Sequence, residues 1–132
     1  LASQMKGTPY VVTAFFGDGA VDEGVFFESI NFAALKKLPI VFVCENNGYA
    51  IHSRVADRHK QTELYRYGES LGMSGKRFDG NDVETVYTTM KQAVEEILMK
   101  VSAAGLGSLT PKERRILEEE TRRRRERDDN RD

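Results

Sequence analysis

One cysteine, no tryptophan and three prolines occur in 132 residues. A lone Cys44 can form neither an internal disulfide nor a thiolate metal cage, so packing must carry the stability, and a reducing compartment suits the chain. His52 and His59 are too few to build a zinc cage with one cysteine. The longest apolar runs, Tyr10–Phe16 and Pro39–Cys44, fall far short of the ~20 residues that span a bilayer. No basic-then-apolar leader opens the chain, so neither membrane insertion nor secretion is expected. Charge of one sign is also lacking: 20 Lys+Arg stand against 21 Asp+Glu.

That balance conceals a division. Residues 105–132 hold nine Lys/Arg and eight Asp/Glu, 17 charges in 28 positions, against 24 in the first 104. The first part suits one small globular domain; the second cannot form a core. Arg122–Arg125 would suit nucleic acid, but neighbouring acids reduce the tail to a net +1, and phosphate binding needs uncompensated cations. The tail is therefore expected to be a solvated polyampholyte, helical from Thr110-Pro111-Lys112-Glu113 or disordered, behind a Gly105/Gly107 linker.

Tyr10–Phe16 is a nearly continuous apolar and β-branched run that stops at Gly17-Asp18-Gly19, the pattern of a strand buried on both faces of a parallel sheet. From Val21 to Leu38, Val25, Phe26, Ile30, Ala33, Ala34 and Leu38 recur with helical spacing, closed by Pro39. Ile40–Cys44 repeats the buried-strand pattern and ends in Glu45-Asn46-Asn47-Gly48-Tyr49. Strand, helix, strand makes a βαβ unit, so the fold class is α/β. Thr62–Met73 is a weaker helical stretch, and Lys76-Arg77-Phe78 a candidate third strand. Val83, Val86, Tyr87, Met90, Ala93, Val94, Ile97, Leu98 and Val101 outline an amphipathic helix behind an Asn81/Asp82 cap.

Open parallel sheets bind ligands beyond the carboxyl ends of their strands. Asp18 and Asn47 lie 29 positions apart, yet one βαβ crossover returns the chain to the same edge and brings them within one or two strand spacings of ~4.8 Å. Asp18 offers a carboxylate, Asn47 an amide oxygen, and the carbonyls around Gly48 and Tyr49 add further oxygens. Such donors suit Mg²⁺, which is usually held by one or two carboxylates plus substrate phosphates. The amides of Gly19 and Ala20, at the start of the following helix, suit phosphate oxygens. Gly-Asp-Gly is also a common turn, which leaves a purely structural role for Asp18 open.

Other motifs fit less well. Gly17-Asp18-Gly19-Ala20-Val21-Asp22 matches G-x-G-x-x without the third glycine, although Glu45 stands where a dinucleotide fold places its ribose acceptor. A nicotinamide dinucleotide site is thus an alternative. No P-loop or EF-hand pattern is present. Cys44 is expected to be a packed thiol, His59 a solvated residue and His52 a possible neighbour of the site. Phe15, Phe16, Phe26, Phe27 and Phe32 are expected in the core, not on a base-stacking platform.

Gly17-Asp18-Gly19-Ala20, Glu23-Gly24, Glu28, Asn31, Ala33-Ala34, Leu38-Pro39 and Glu45-Asn46-Asn47-Gly48-Tyr49-Ala50-Ile51 together resemble the thiamine-diphosphate motif of 2-oxo acid dehydrogenase alpha subunits. The motif is GDG, some 26 residues, then NN; here 26 residues separate Gly19 from Asn46. Pyruvate, branched-chain 2-oxo acid and acetoin dehydrogenases share it, and the likeness covers roughly residues 1–100, including Phe78-Asp79-Gly80-Asn81-Asp82-Val83.

The resemblance implies a three-layer parallel sheet of the thiamine-diphosphate-binding type, incomplete here, spanning residues 1–104. It implies that Asp18, Asn47 and the Tyr49 carbonyl bind Mg²⁺ while the amides of Gly19 and Ala20 hold the diphosphate. It further implies oxidative decarboxylation of a 2-oxo acid, acyl transfer to a lipoyl carrier, a beta subunit completing a heterotetramer, and a cytoplasmic or mitochondrial-matrix location. The activating glutamate belongs to the beta subunit, so no catalytic residue is expected in this chain. The T-Y-R-x-x-G-H-S-type loop that follows the helix in the family is replaced by Gly105–Leu117. The expectation is therefore a partial chain, inactive alone. A non-catalytic interaction fragment that retains the fold is the alternative from another class.

Overall fold

The computed structural model describes residues 1–6, 8 and 10–108, with side chains through residue 102. In chain order the elements are α1 (Ala2–Met5), β1 (Val12–Gly17), a 3₁₀ helix (Asp18–Asp22), α2 (Gly24–Lys36), β2 (Ile40–Glu45), β3 (Tyr49–Ala50), β4 (Ser53–Arg54), α3 (Val55–Arg58), α4 (Arg66–Glu69) and α5 (Val83–Ser108). Residues 109–132, which hold all the charges of the tail, lie outside the described residues.

The βαβ unit forms as its apolar runs require. β1 and β2 pair in parallel, from Val12 opposite Ile40 to Gly17 opposite Glu45, with α2 as the connection. A parallel pair needs such a crossover, because a tight turn can join only antiparallel neighbours. This two-stranded ladder and the short antiparallel pair β3–β4 are the sheets among the described residues. They are compatible with an α/β class. Lys76–Phe78, the candidate third strand, is not a strand here, and 62–73 yields only the single turn of α4.

α2 begins later than its periodicity suggests. Glu23 takes an extended conformation (φ −84°, ψ 137°), and the preceding five residues close as a 3₁₀ helix. Asp22 and Gly24 are poor helix formers, and the Asp22 carboxylate bonds to α3 rather than capping α2. The amides of Gly19 and Ala20 consequently open a 3₁₀ turn, not the long helix, and its aligned dipole is small. At the other end Lys37 adopts a left-handed conformation (φ 49°) and the Leu38 amide reaches back to the Ala33 carbonyl at 3.0 Å, a Schellman closure just before Pro39.

The strands are not covered on both faces. Phe15 is 65% exposed, Val12 is exposed as well, and on α2 Val25, Phe27, Phe32 and Leu35 face outward among the described residues. Phe16 and Phe26 do pack inward, with ring centroids 5.5 Å apart. The buried cluster sits at the carboxyl end of the sheet: Val21, Val55 and Leu64, with Phe16, Phe26, Cys44 and Tyr67 against it. This cluster ties the 3₁₀ turn, α3 and the segment before α4 into one platform.

α5 packs against β2 through a half-buried face that includes Val86, Met90, Ala93, Val94, Ile97, Leu98 and Val101. Val83 and Tyr87 lie outside that face. The helix continues through Gly105 and Gly107 to Ser108, so these glycines do not interrupt it as a linker would. Asp82 caps its start, accepting from the Glu84 amide and the Thr85 hydroxyl. The Thr85 hydroxyl and then the Glu84 amide hold the Asp82 carboxyl below its ordinary range. A folded pKa below the unfolded one stabilises above the unfolded value, about 3.9, and that stabilisation is lost as pH falls through the folded value. Asp82→Ala is accordingly expected to lower the melting temperature at pH 7. Circular-dichroism melts should show the gap from the native chain closing below about pH 4.

Candidate functional site

The ladder ends at Gly17 opposite Glu45, so the Gly17-Asp18-Gly19 turn and the Asn46-Asn47-Gly48-Tyr49 turn leave the same edge of the sheet on adjacent strands. β3 then packs against the 3₁₀ turn. The approach is so close at Gly19 that a β-carbon there would lie 2.9 Å from the Ala50 Cβ. Glycine at this position is required by packing.

The second turn is internally braced. Asn46 Oδ1 accepts from the Gly48 amide and Asn47 Oδ1 from the Tyr49 amide, each at 2.9 Å, two successive Asx turns. An amide oxygen has two lone pairs, so Asn47 Oδ1 retains acceptor capacity. The Gly48 carbonyl accepts from the Val55 amide at 3.0 Å and, like Asn47 Oδ1, keeps a second lone pair. Beyond β3, Ile51 adopts φ 57° at the tip of the β3–β4 hairpin while 91% exposed. A β-branched residue in the left-handed region is strained, by about 1–3 kcal/mol, and the two-residue hairpin imposes it. His52, also at this tip, points to solvent.

Asp18 is buried, at 2% exposure. Arg58, at the end of α3, donates through Nη2 to Asp18 Oδ2 and through Nη1 to Asp22 Oδ2, both at 2.6 Å. His59 Nε2 meets the other oxygen of Asp22, and the Tyr67 hydroxyl lies 3.3 Å from His59 Nδ1. Arg58 holds the Asp22 carboxyl below its usual range against the opposing effect of desolvation, and the His59 hydrogen bond, weaker than either, adds to the lowering. With Asp22 ionised, Nε2 is the donor to it. His59 is thus no solvated residue: its side chain is 10% exposed and built into the network. Arg58, His59 and Tyr67 were invisible as site residues because nothing in the local sequence ties them to a turn some 40 positions earlier.

Cys44 precedes the second turn. Burial, then the negative charges of Asp18 and Glu45, push its thiol up to about 11, so it stays protonated near neutral pH and acts as a packed side chain. Among the described residues no three His, Cys, Asp or Glu side chains are arranged to hold a metal. A cation here would depend on mixed oxygen donors.

Residues 1–99 match the family described as dehydrogenase E1 component. The chain belongs to that family. Within the E1 component family, it is 42% identical over 96 residues to the pyruvate dehydrogenase E1 component subunit alpha of Rickettsia felis, covering 73% of this chain and 29% of that protein. The Rhizobium meliloti counterpart is 42% identical over 94 residues (71% and 27%). The chloroplastic alpha-3 subunit of Oryza sativa is 47% identical over 85 residues (64% and 20%). This E1-family chain therefore spans under a third of the length of these curated relatives. No helix among its described residues is long and apolar enough to cross a membrane.

Proposed function

We propose that this chain is the thiamine diphosphate- and Mg²⁺-anchoring part of a 2-oxo acid dehydrogenase alpha subunit. The observation that carries the reading is the parallel register: adjacent strands end together, and each continues into one half of the motif. The donor chemistry fits the group. Asp18 contributes the one carboxylate, Asn47 a braced amide oxygen with a lone pair to spare, and Tyr49 a backbone carbonyl. All are hard oxygen donors, and a diphosphate would complete the coordination and the charge. Gly19, kept free of a β-carbon by Ala50, and Ala20 open the 3₁₀ turn at this edge, and their amides would serve the phosphate oxygens.

When bound, thiamine diphosphate supplies the carbon nucleophile and electron sink for decarboxylating a 2-oxo acid. The residues of this chain bind and orient. Asp18 is buried in the same 3₁₀ turn as Val21, which belongs to the apolar cluster with Val55 and Leu64, and low water access strengthens its interaction with a cation. None is assigned a catalytic role; that role falls to a beta subunit, with acyl transfer to the lipoyl group of an acyltransferase. The exposed apolar side chains Val12, Phe15, Val25 and Leu35 favour such a partner.

Calorimetric titration of thiamine diphosphate tests the reading. Saturable binding is expected in Mg²⁺ and its loss in EDTA, with no heat from a nicotinamide dinucleotide. Equal binding with and without the metal would overturn the proposal.

A further inference from the structure

Resting on the reading of Asp18 as a magnesium ligand, we infer that Arg58 is a resident counter-ion. It holds Asp18 until the divalent cation arrives, then yields it while remaining tethered to the site through Asp22.

A carboxylate at 2% exposure needs a compensating charge, since an unpaired buried anion is strongly unfavourable. Arg58 supplies it, and does so through an arrangement suited to exchange. The strongest arginine–carboxylate pairs place two parallel N–H groups on one carboxylate. Here the fork is split, one terminal nitrogen on Asp18 and the other on Asp22. The third nitrogen, Nε, is buried and has no hydrogen-bond partner. Leaving Asp18 thus forfeits one hydrogen bond, from a guanidinium that is already incompletely satisfied.

The second anchor is the firmer of the two. Asp22 is held simultaneously by Arg58 and His59, and His59 is backed by Tyr67 through both a hydrogen bond and a ring contact at 6.0 Å. Arg58 also closes a four-residue helix whose first residue, Val55, belongs to the buried cluster, so its backbone cannot drift far. The flexible link in the chain Tyr67–His59–Asp22–Arg58–Asp18 is therefore the last one. A compact divalent cation carries twice the charge of the guanidinium and can satisfy Asp18 together with the added phosphate charges. With Asp18 transferred, Arg58 still faces Asp22 and is not left as an isolated buried cation.

The test uses the full chain with Arg58→Gln, Arg58→Lys and Asp18→Asn, titrated with Mn²⁺ alone and followed by the spin-resonance signal of free Mn²⁺. Arg58→Gln is expected to bind Mn²⁺ about tenfold more tightly, as if Asp18 were free of Arg58 in about a tenth of native molecules. Its melting temperature should fall in EDTA and recover with saturating Mn²⁺. Arg58→Lys, which keeps the charge but spans only one carboxylate at a time, should tighten binding by less; it also serves if the glutamine variant fails to fold. In ¹⁵N spectra the native Arg58 Nε–H resonance should move on adding Mg²⁺, and should not move in Asp18→Asn.

A purely structural arginine would lower the melting temperature yet leave metal affinity and the Nε–H resonance unchanged, which would overturn the exchange. If Asp18→Asn abolishes Mn²⁺ binding while both Arg58 variants bind no more tightly than the native chain, the exchange fails and Asp18 stands as a ligand. If Asp18→Asn binds Mn²⁺ as the native chain does, the assignment of Asp18 fails and the exchange with it.

Discussion

Replacing Asp18 with asparagine is expected to weaken the binding of magnesium and thiamine diphosphate by at least about a hundredfold, because the only charged donor of the set is lost. Asparagine keeps the shape and one oxygen, so the 3₁₀ turn has no steric reason to rearrange. What changes is the charge at a position only 2% exposed, where electrostatics are poorly screened. The variant also leaves Arg58 with Asp22 as its remaining carboxylate, so some loss of thermal stability accompanies the loss of affinity. Calorimetry in saturating Mg²⁺ checks the affinity and a melt in EDTA the stability. Retention of affinity within a few-fold would show that Asp18 serves the fold alone, as Gly-Asp-Gly turns often do.

The second large effect concerns Gly19. A β-carbon there would meet the Ala50 Cβ at 2.9 Å, well inside the roughly 3.5–4.0 Å at which carbon atoms rest. Ala50 has no rotamer with which to retreat, so β3 or the 3₁₀ turn must move. Gly19→Ala is expected to cost about 1–3 kcal/mol by overpacking. It should also weaken cofactor binding, since the displaced elements carry Asp18 on one side and Tyr49 on the other. Removing the opposing methyl tests the mechanism: Gly19→Ala/Ala50→Gly should recover stability beyond the sum of the single effects, by about 1 kcal/mol or more of coupling. Urea denaturation of the four chains measures it. Simple additivity would mean that the two residues do not press on each other.

Much of the frame was legible in the sequence because it depends on local patterning. Continuous β-branched runs before and after a helically spaced segment left little choice but a parallel pair, and β1 and β2 end within a residue or two of where those runs stop. The cap at Asp82 was equally plain, since capping involves residues adjacent in the chain. Coverage of the faces was not legible. The pattern around Phe15 specifies a strand fit for burial on both sides, but what lies against it is a matter of other segments, and the described residues leave it exposed. The 3₁₀ turn was also missed, because the apolar period continues through Val21 while the backbone breaks at Glu23.

The candidate site divides in the same way. The proposed ligands Asp18, Gly19, Ala20 and Asn47 rest on two short motifs and the crossover between them, and the choice of the Tyr49 carbonyl rests on the family resemblance, so the sequence by itself determined which groups are candidates. Only the tertiary structure decided what surrounds them: the Arg58 guanidinium on Asp18 and Asp22, His59 and Tyr67 behind Asp22, and the Ala50 methyl against Gly19. The physical reason is range. Strand, turn and cap preferences act over a few bonds and are written into neighbouring residues, whereas a buried ion pair between positions 18 and 58 exists only once packing has brought distant segments together and shut out water.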